Sequence, residues 1–407
     1  MPEPTAPPFG RTKMDVDKSV EKSQKFRAAG NLKFKNGDVT GALEDYNKAL
    51  RFAPAESEAF YLALSNRATM LIHQGRIRCA LYDLDRLMSE ESRAVLSCDV
   101  LKKCKARKIK AAQDQFKNKL ENDEDLSEEW KENIPELFRY TNPRVPALSG
   151  AVKVAYSEER GRHLLATENI PAGSVVLIES PYSSVLLPDN SATHCHHCHR
   201  ELMGSPLPCG SCAEEVWFCN EWCQDTAMAA YHGLECKQVG RLARLGLAHL
   251  ALRLLLLTPY SQLRALDPLT ADRKHGISLL LNGTYRTESY LSVSCLEYHA
   301  DKTSSEDRQK YQDAAEGLCR LLRLRAYFQD EEERVEVVRR NLERLLHQLQ
   351  CNATAIVQLR EQQEWIRNEG DKTGRRFVVE KAQERKATAL YPAASLLNHS
   401  CRPNVFS

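Results

Sequence analysis

The sequence predicts an α+β multidomain protein, with α-helical repeats at the N-terminus followed by a β-rich core that a metal-binding finger and a helical insert interrupt. Three observations predict this. Residues 19–88 repeat themselves at an offset of 38, eight Cys and His residues fall in short regular pairs between Cys195 and Cys236, and strand-like patterning gives way to helical patterning and then returns. The chain has 407 residues, room for several domains at about 150 residues each. A hydrophobic fraction of 42% with 28% charged residues fits a globular chain. The net charge of +2 gives no electrostatic case for membrane or direct nucleic-acid binding. The N-terminus has no apolar core and is no secretory signal. The most apolar stretch, Leu242 to Leu257, is interrupted by Arg244 and Arg253, which suits a buried helix and not a membrane span. Seven of the fourteen cysteines lie outside the cluster and are scattered, so reduced thiols and a place in the cytoplasm and nucleus are expected.

Residues 1–18 are Pro-rich and expected to be disordered. In 19–119, Gly30 and Ala68, Gly37 and Gly75, Ala42 and Ala80, and Asp45 and Asp83 are each 38 positions apart. Small residues stand where two helices must touch, Gly37 sits at the turn, Phe34 and Tyr46 fill the groove, and Pro54 ends the second helix. The unit resembles a tetratricopeptide repeat, whose period is usually about 34 residues; the extra residues fall between Pro54 and Asn66. A helix from about Ala94 to Lys119 is expected to cap the stack or form a third, degenerate unit. Arg27 and Asn31, then Asn66, then Lys103 and Arg107 recur on successive first helices. This set resembles the carboxylate clamp by which some tetratricopeptide domains hold the acidic C-termini of heat-shock chaperones, through charge-assisted bonds. Chaperone C-termini are the partners it implies.

Residues 120–148 turn acidic and then Pro-rich, and read as a linker. Strand signals follow over 149–190: Val152 and Val154 alternate, and Val175-Val-Leu-Ile runs on from a turn at Pro171-Ala-Gly. Residues 237–349 are helical, with Val335, Val338, Leu342, Leu345 and Leu349 on one stripe that suits a packed core helix. Residues 350–407 return to strands and turns.

The cluster in 195–236 reads Cys195-x2-Cys198, Cys209-x2-Cys212, Cys219-x3-Cys223 and His232-x3-Cys236. Zn(II) takes four thiolate or imidazole ligands in a tetrahedron, so these eight ligands make two closed, structural sites. About forty residues cannot build a sufficient core alone, and metal binding supplies the deficit. Trp217-Phe-Cys before the third pair and Tyr231-His before the last complete a resemblance to the MYND finger. The resemblance implies interleaving, with Cys195, Cys198, Cys219 and Cys223 on one zinc and Cys209, Cys212, His232 and Cys236 on the other. It also implies a surface for proline-rich peptides. His194, His196, His197 and His199 read as exposed, or as lying just outside the ligands.

Two motifs flank the finger and the insert. Glu159-Arg160-Gly-Arg162 allows a close backbone approach to a ligand. Ser395-Leu-Leu-Asn398-His399-Ser-Cys401 resembles the signature of the SET domain, whose Asn-His pair binds S-adenosylmethionine. Cys351-Asn352-Ala-Thr-Ala-Ile resembles the strand whose asparagine lies beside that cofactor. The order of parts resembles the SET-and-MYND family of protein-lysine methyltransferases, in its repeat-bearing subgroup. The resemblance implies a cofactor site built from Arg160, Arg162, Asn352, Ser395, Asn398 and His399, and a protein lysine on a histone or another protein as substrate. Methyl transfer to a neutral amine rests mainly on positioning, and no phosphate loop or Ser-His-Asp arrangement competes with this reading. In the family the core continues past the signature to a tyrosine of the lysine channel and to three cysteines that join Cys401 on a third zinc. This sequence stops at Ser407, so the expectation is an incomplete core with impaired catalysis; the alternative is an adaptor that binds partners through repeats and finger.

Overall fold

The computed structural model describes residues 17–122, 135–202, 204–269, 271–299, 302–328, 331–367 and 375–405, with backbone alone for 116–122, 273, 360–367 and 375–382. Of the disorder expected over 1–18, residues 1–16 lie outside the described residues, as does the acidic half of the linker, while Asp17 and Lys18 are held by hydrogen bonds. The chain divides into two compact units, one drawn from Arg11–Glu132 and Pro188–Arg244, the other from Asn133–Leu187 and Leu245–Ser407. The finger therefore belongs with the helical repeats, although in sequence it interrupts the other unit.

The first unit opens with helical hairpins. Helices α1 (Val20–Lys35) and α2 (Val39–Phe52) form one, and α3 (Glu58–His73) and α4 (Ile77–Arg86) the next. Ser19, Asp38 and Ser57 cap the first three through side-chain oxygens, each satisfying a backbone N–H that the helix start leaves open. Both hairpin turns need a left-handed residue, and glycine supplies it: φ is +83° at Gly37 and +72° at Gly75. Gly30 serves a different need, since a Cβ there would stand 2.7 Å from the Tyr46 ring, so the two helices meet only without a side chain. Ala49, Leu50, Ala63, Leu64, Ala68, Leu84 and Leu87 form the core between the hairpins. The single helix expected from Ala94 to Lys119 is instead α5 (Glu90–Val95) and α6 (Cys98–Asn122). Ser89 caps α5, and the chain extends at Leu96 before the helix restarts.

The second unit holds a β1 (Val152–Ser157) and β2 (Gly161–Ala166) hairpin and an antiparallel sheet ordered β3-β7-β6. Its strands are β3 (Ser183–Leu186), β6 (Ala353–Arg367) and β7 (Arg375–Leu390). The strand expected at Val175–Ile178 is reduced to one bridge, Leu148↔Leu177. Its neighbour carries Pro143 and Pro146, which cannot donate to a ladder, so pairing stops after a few bonds. That neighbour also corrects the linker boundary: Val145, Ala147 and Leu148 are core residues, packed with Val152, Tyr285, Ala393 and Leu396. The helix Leu247–Leu257 is buried almost throughout, and Arg253 within it donates to Ser184 O at 2.9 Å. Val335, Val338, Leu342, Leu345 and Leu349 are all buried on the helix Glu332–Asn352, which packs against Ser305–Leu324. Among the described residues, no helix is long and apolar enough to cross a membrane.

Candidate functional site

Three short elements set the finger's ligands. The antiparallel ribbon of β4 (Leu207–Pro208) and β5 (Trp217–Phe218) delivers Cys209 and Cys219 at its opposite ends, toward the two different ligand groups. Asn220 caps α7 (Glu221–Ala227) by accepting from Cys223 N at 2.8 Å, which fixes Cys223 on the first turn. A wider turn of helix, Met228–His232, then brings in His232. The structure gathers Cys195, Cys198, Cys219 and Cys223 into one group and Cys209, Cys212, His232 and Cys236 into another, with ligand atoms within 4.8 Å of one another. Zn–S bonds of about 2.3 Å put the edges of a tetrahedron at about 3.8 Å. The sulfurs of Cys198 and Cys219 are 3.7 Å apart and those of Cys209 and Cys236 3.9 Å, so the donor set fits that ion and is too open for disulfides.

Electrostatics point the same way. Hydrogen bonds from the Cys198, Cys219 and Cys223 thiols hold Cys195 far below the ordinary thiol range, and the Cys195 anion in turn pushes Cys223 far above it. Four such sulfurs cannot all ionise without a cation among them. Backbone amides assist: Cys219 N donates to Cys195 Sγ and Ser211 N to Cys209 Sγ, both at 3.4 Å.

Of the neighbouring histidines, expected to be exposed or to lie just outside the ligands, two are buried. His194 and His196 are 1% and 5% exposed, because the loop that carries them is tied into the finger by Cys195 N→Arg200 O and His196 N→Trp217 O, both at 2.8 Å. His196, His232 and Glu235 also lie close enough to form a metal-capable trio, but His232 Nε2 stands 3.2 Å from Cys209 Sγ and is directed into the cysteine group.

The finger is bolted to the repeats by contacts that sequence reasoning missed. Arg67 on α3 and Asp83 on α4 form a two-pronged ion pair at 2.8 and 2.7 Å, each side chain 1% exposed. Arg67 Nη1 also donates to Pro206 O at 2.8 Å, Arg76 donates to Gly204 O at 3.0 Å, and Ser205 Oγ donates to Cys79 O at 2.6 Å. Asp83 was visible as a repeated position; nothing local marked Arg67 as its partner or residues 204–206 as the docking loop. The N-terminal segment joins in, with Lys18 Nζ donating to Arg51 O and Lys237 Nζ to Asp17 Oδ1, both at 2.7 Å.

On the repeats, Asn31 Oδ1 accepts from Tyr46 OH at 2.8 Å and Asn66 Nδ2 at 2.9 Å, so Asn31 and Asn66 are joined. Arg27 acts electrostatically on the same tyrosine, and its Nε is buried without a partner. Arg107 reaches Ser65 Oγ at 3.1 Å, next to Asn66, while Lys103 is exposed one turn away on α6.

In the second unit, Asn398 Nδ2 donates to Arg160 O at 3.2 Å, which brings together two motifs 238 residues apart. Arg162 Nη2 donates to Cys295 O at 2.7 Å and leaves Nη1 buried and unmatched. His399 is exposed, with Nε2 3.6 Å from Cys401 Sγ. Ser395 Oγ turns back to Tyr391 O, and Asn352 donates its amide to Glu297 O and Gln348 O at the end of its helix. Sequence reasoning also missed Glu179, whose carboxylate accepts from Ala393 N and Ala394 N at 2.8 and 2.9 Å, just ahead of the Asn398 segment. Burial raises the Glu179 carboxyl against those two bonds, and it lines a cavity of about 580 Å³ with Ile178, Tyr182, Leu257 and Glu288.

A finger with two four-ligand groups, carried with helical hairpins on a chain that also joins a Gly-Arg motif to an Asn-His motif, sets this chain beside the SET-and-MYND proteins, to which it is similar. No protein-family model matches it. The individual relatives carry the likeness. It is 29% identical to the protein-lysine N-methyltransferase SMYD4 of Danio rerio, over 96% of this chain and 55% of that protein. It is 27% identical to SMYD4 of Gallus gallus, over 93% of this chain and 64% of the relative. A SET and MYND domain-containing protein of Dictyostelium discoideum is 33% identical over 20% of this chain. The chain thus spans about three-fifths of the length of the SMYD4 relatives it matches.

Proposed function

We propose that this protein serves protein-lysine N-methylation with S-adenosylmethionine as the methyl donor, and that the finger holds two structural zinc ions. The observation that carries the first part is the Asn398–Arg160 bond, which joins the two motifs the cofactor reading needs. When bound, S-adenosylmethionine supplies a sulfonium methyl group. The chain's part is to bind and orient. The amide of Asn398 and the imidazole of His399 suit the amino-acid end of the cofactor, and the unmatched Nη1 of Arg162 is a buried donor fitted to a carboxylate. Asn352 and Ser395 would complete the site only by releasing the carbonyls they now bond. Glu179 stabilises the turn that leads into Asn398.

The hairpins are read as tetratricopeptide repeats, and the second function is partner binding in the cytoplasm and nucleus. The cluster of Arg27, Asn31, Asn66 and Arg107, with Lys103 beside it, favours an acidic peptide C-terminus such as a chaperone's. On the finger, Trp222 is 67% exposed beside His197 and offers an aromatic face to a proline-rich peptide.

Calorimetric titration of the zinc-loaded chain with S-adenosylmethionine tests the proposal. Saturable binding that is lost in Asn398→Ala, at unchanged zinc content, is expected. No binding by a zinc-loaded, folded chain removes the cofactor reading and leaves the partner-binding one.

A further inference from the structure

We propose that Glu235 is a positioning residue of the Cys209–Cys212–His232–Cys236 metal group, its carboxylate accepting a hydrogen bond from His232 Nδ1–H when zinc is bound. The inference rests on the zinc reading of the finger. His232 Nε2 stands 3.2 Å from Cys209 Sγ and so faces the metal. A neutral imidazole bound through one ring nitrogen carries its proton on the other, and that N–H needs an acceptor. His232 is fully buried, and its Nδ1 makes no hydrogen bond. A buried donor left unmatched is costly. Glu235 can supply the acceptor: one of its carboxylate oxygens, a ring nitrogen of His232 and a ring nitrogen of His196 all lie within 4.8 Å of one another. The remaining gap is within reach of a rotation about the side-chain bonds of Glu235.

Local sequence places the carboxylate there. The wide turn Met228–His232 closes with Gly233 N donating to Met228 O, and a Cβ at Gly233 would stand 2.8 Å from that carbonyl, so the turn is built around a glycine. Cys236 N then donates to His232 O at 2.6 Å, which keeps His232 and Cys236 on one helical turn. Residues three and four apart are neighbours on a helix surface. The fourth residue on, Cys236, gives its sulfur to the metal group, and the third, Glu235, stands beside the same imidazole at 0% exposure. Two rings hold the plane of that imidazole: His196 and Phe218 meet it edge-on, with centroids 5.3 and 5.8 Å away. His196 Nε2 also lies 3.8 Å from Glu235 Oε2, which holds the carboxylate against both histidines. His196 is anchored in turn by its backbone N–H, which donates to Trp217 O at 2.8 Å. Partners of this kind, beyond the direct ligands, typically change metal affinity by about 10- to 100-fold.

The test is zinc release from the full chain into a chromophoric chelator, comparing wild type with Glu235→Leu, which removes the acceptor, and Glu235→Gln, which keeps an acceptor oxygen. Glu235→Leu is expected to release one of its two zincs about tenfold faster, with Glu235→Gln close to wild type. A His232→Cys background separates positioning from packing, because a fourth thiolate has no ring proton to place; there Glu235→Leu should have no effect. Wild-type release from Glu235→Leu overturns the proposal. So does an equal acceleration by Glu235→Gln, or one that persists in His232→Cys, since either would make the side chain a packing element. A chain that holds only one zinc in Glu235→Gln would make Glu235 a direct ligand and overturns the proposal too. Circular dichroism of the helices runs alongside, and if Glu235→Leu loses helix the same comparison is made with Glu235→Met. A wild-type chain that binds no zinc sinks the metal reading itself, a result distinct from the outcomes at Glu235.

Discussion

Replacing Arg67 by methionine removes a guanidinium from a place where Asp83 has no water to fall back on. Both side chains are 1% exposed, and two of the four bonds that Arg67 makes go to the Asp83 carboxylate. Breaking a buried pair on one side costs about 3–5 kcal/mol, because the remaining charge is stranded. Arg67→Met also abandons Pro206 O, a docking point of the finger. The double variant Arg67→Met/Asp83→Leu removes the stranded charge and should recover most of the loss. What remains is the orphaned Pro206 carbonyl, about 1–3 kcal/mol. Urea unfolding of the zinc-loaded chain is the assay, with zinc release recorded in parallel because it reports the finger–repeat unit by itself. The two signals should move together to lower urea in Arg67→Met and return most of the way in the double variant. An unchanged midpoint in Arg67→Met, or a double variant as weak as the single, refutes the reasoning.

Three further outcomes are expected. Cys209→Ser should lower the metal content from two zincs per chain to one, measured by elemental analysis; two zincs in that variant would overturn the grouping of ligands. Gly30→Ala places a methyl 2.7 Å from the Tyr46 ring. Overpacking of about 1–3 kcal/mol outweighs the roughly 0.5–1 kcal/mol gain in helix propensity, so a net loss in unfolding stability is expected, and a gain would mean that the helices part freely. At Asp267 burial works to raise the carboxyl, but the Arg340 bond outweighs it and holds the group below its ordinary 3.8. A depressed carboxyl stabilises the fold above the unfolded value and loses that contribution as pH falls below it. The stability gap between wild type and Asp267→Asn should therefore hold steady above about pH 4 and shrink below it; a gap that persists through the acid limb would show that Arg340 contributes little.

What was legible in the sequence was what neighbours in the chain decide. The turn glycines Gly37 and Gly75 and the stripe from Val335 to Leu349 are local or periodic, so residue type and spacing suffice. The ligand pairs were legible for the same reason, since two thiols three or four residues apart can close on one ion. The structure alone decided what depends on a distant partner. Val175–Ile178 has strand composition but no ladder, because the segment beside it is broken by prolines. Whether His194 and His196 lie at the surface or just outside the ligands was open in the sequence, and the finger's own fold buries both. The joining of finger to repeats depends on Arg67, Asp83 and Pro206. Hydrophobic period and ligand spacing are written within a few residues, whereas a buried charge chooses its partner by proximity in space, which only the packed chain creates.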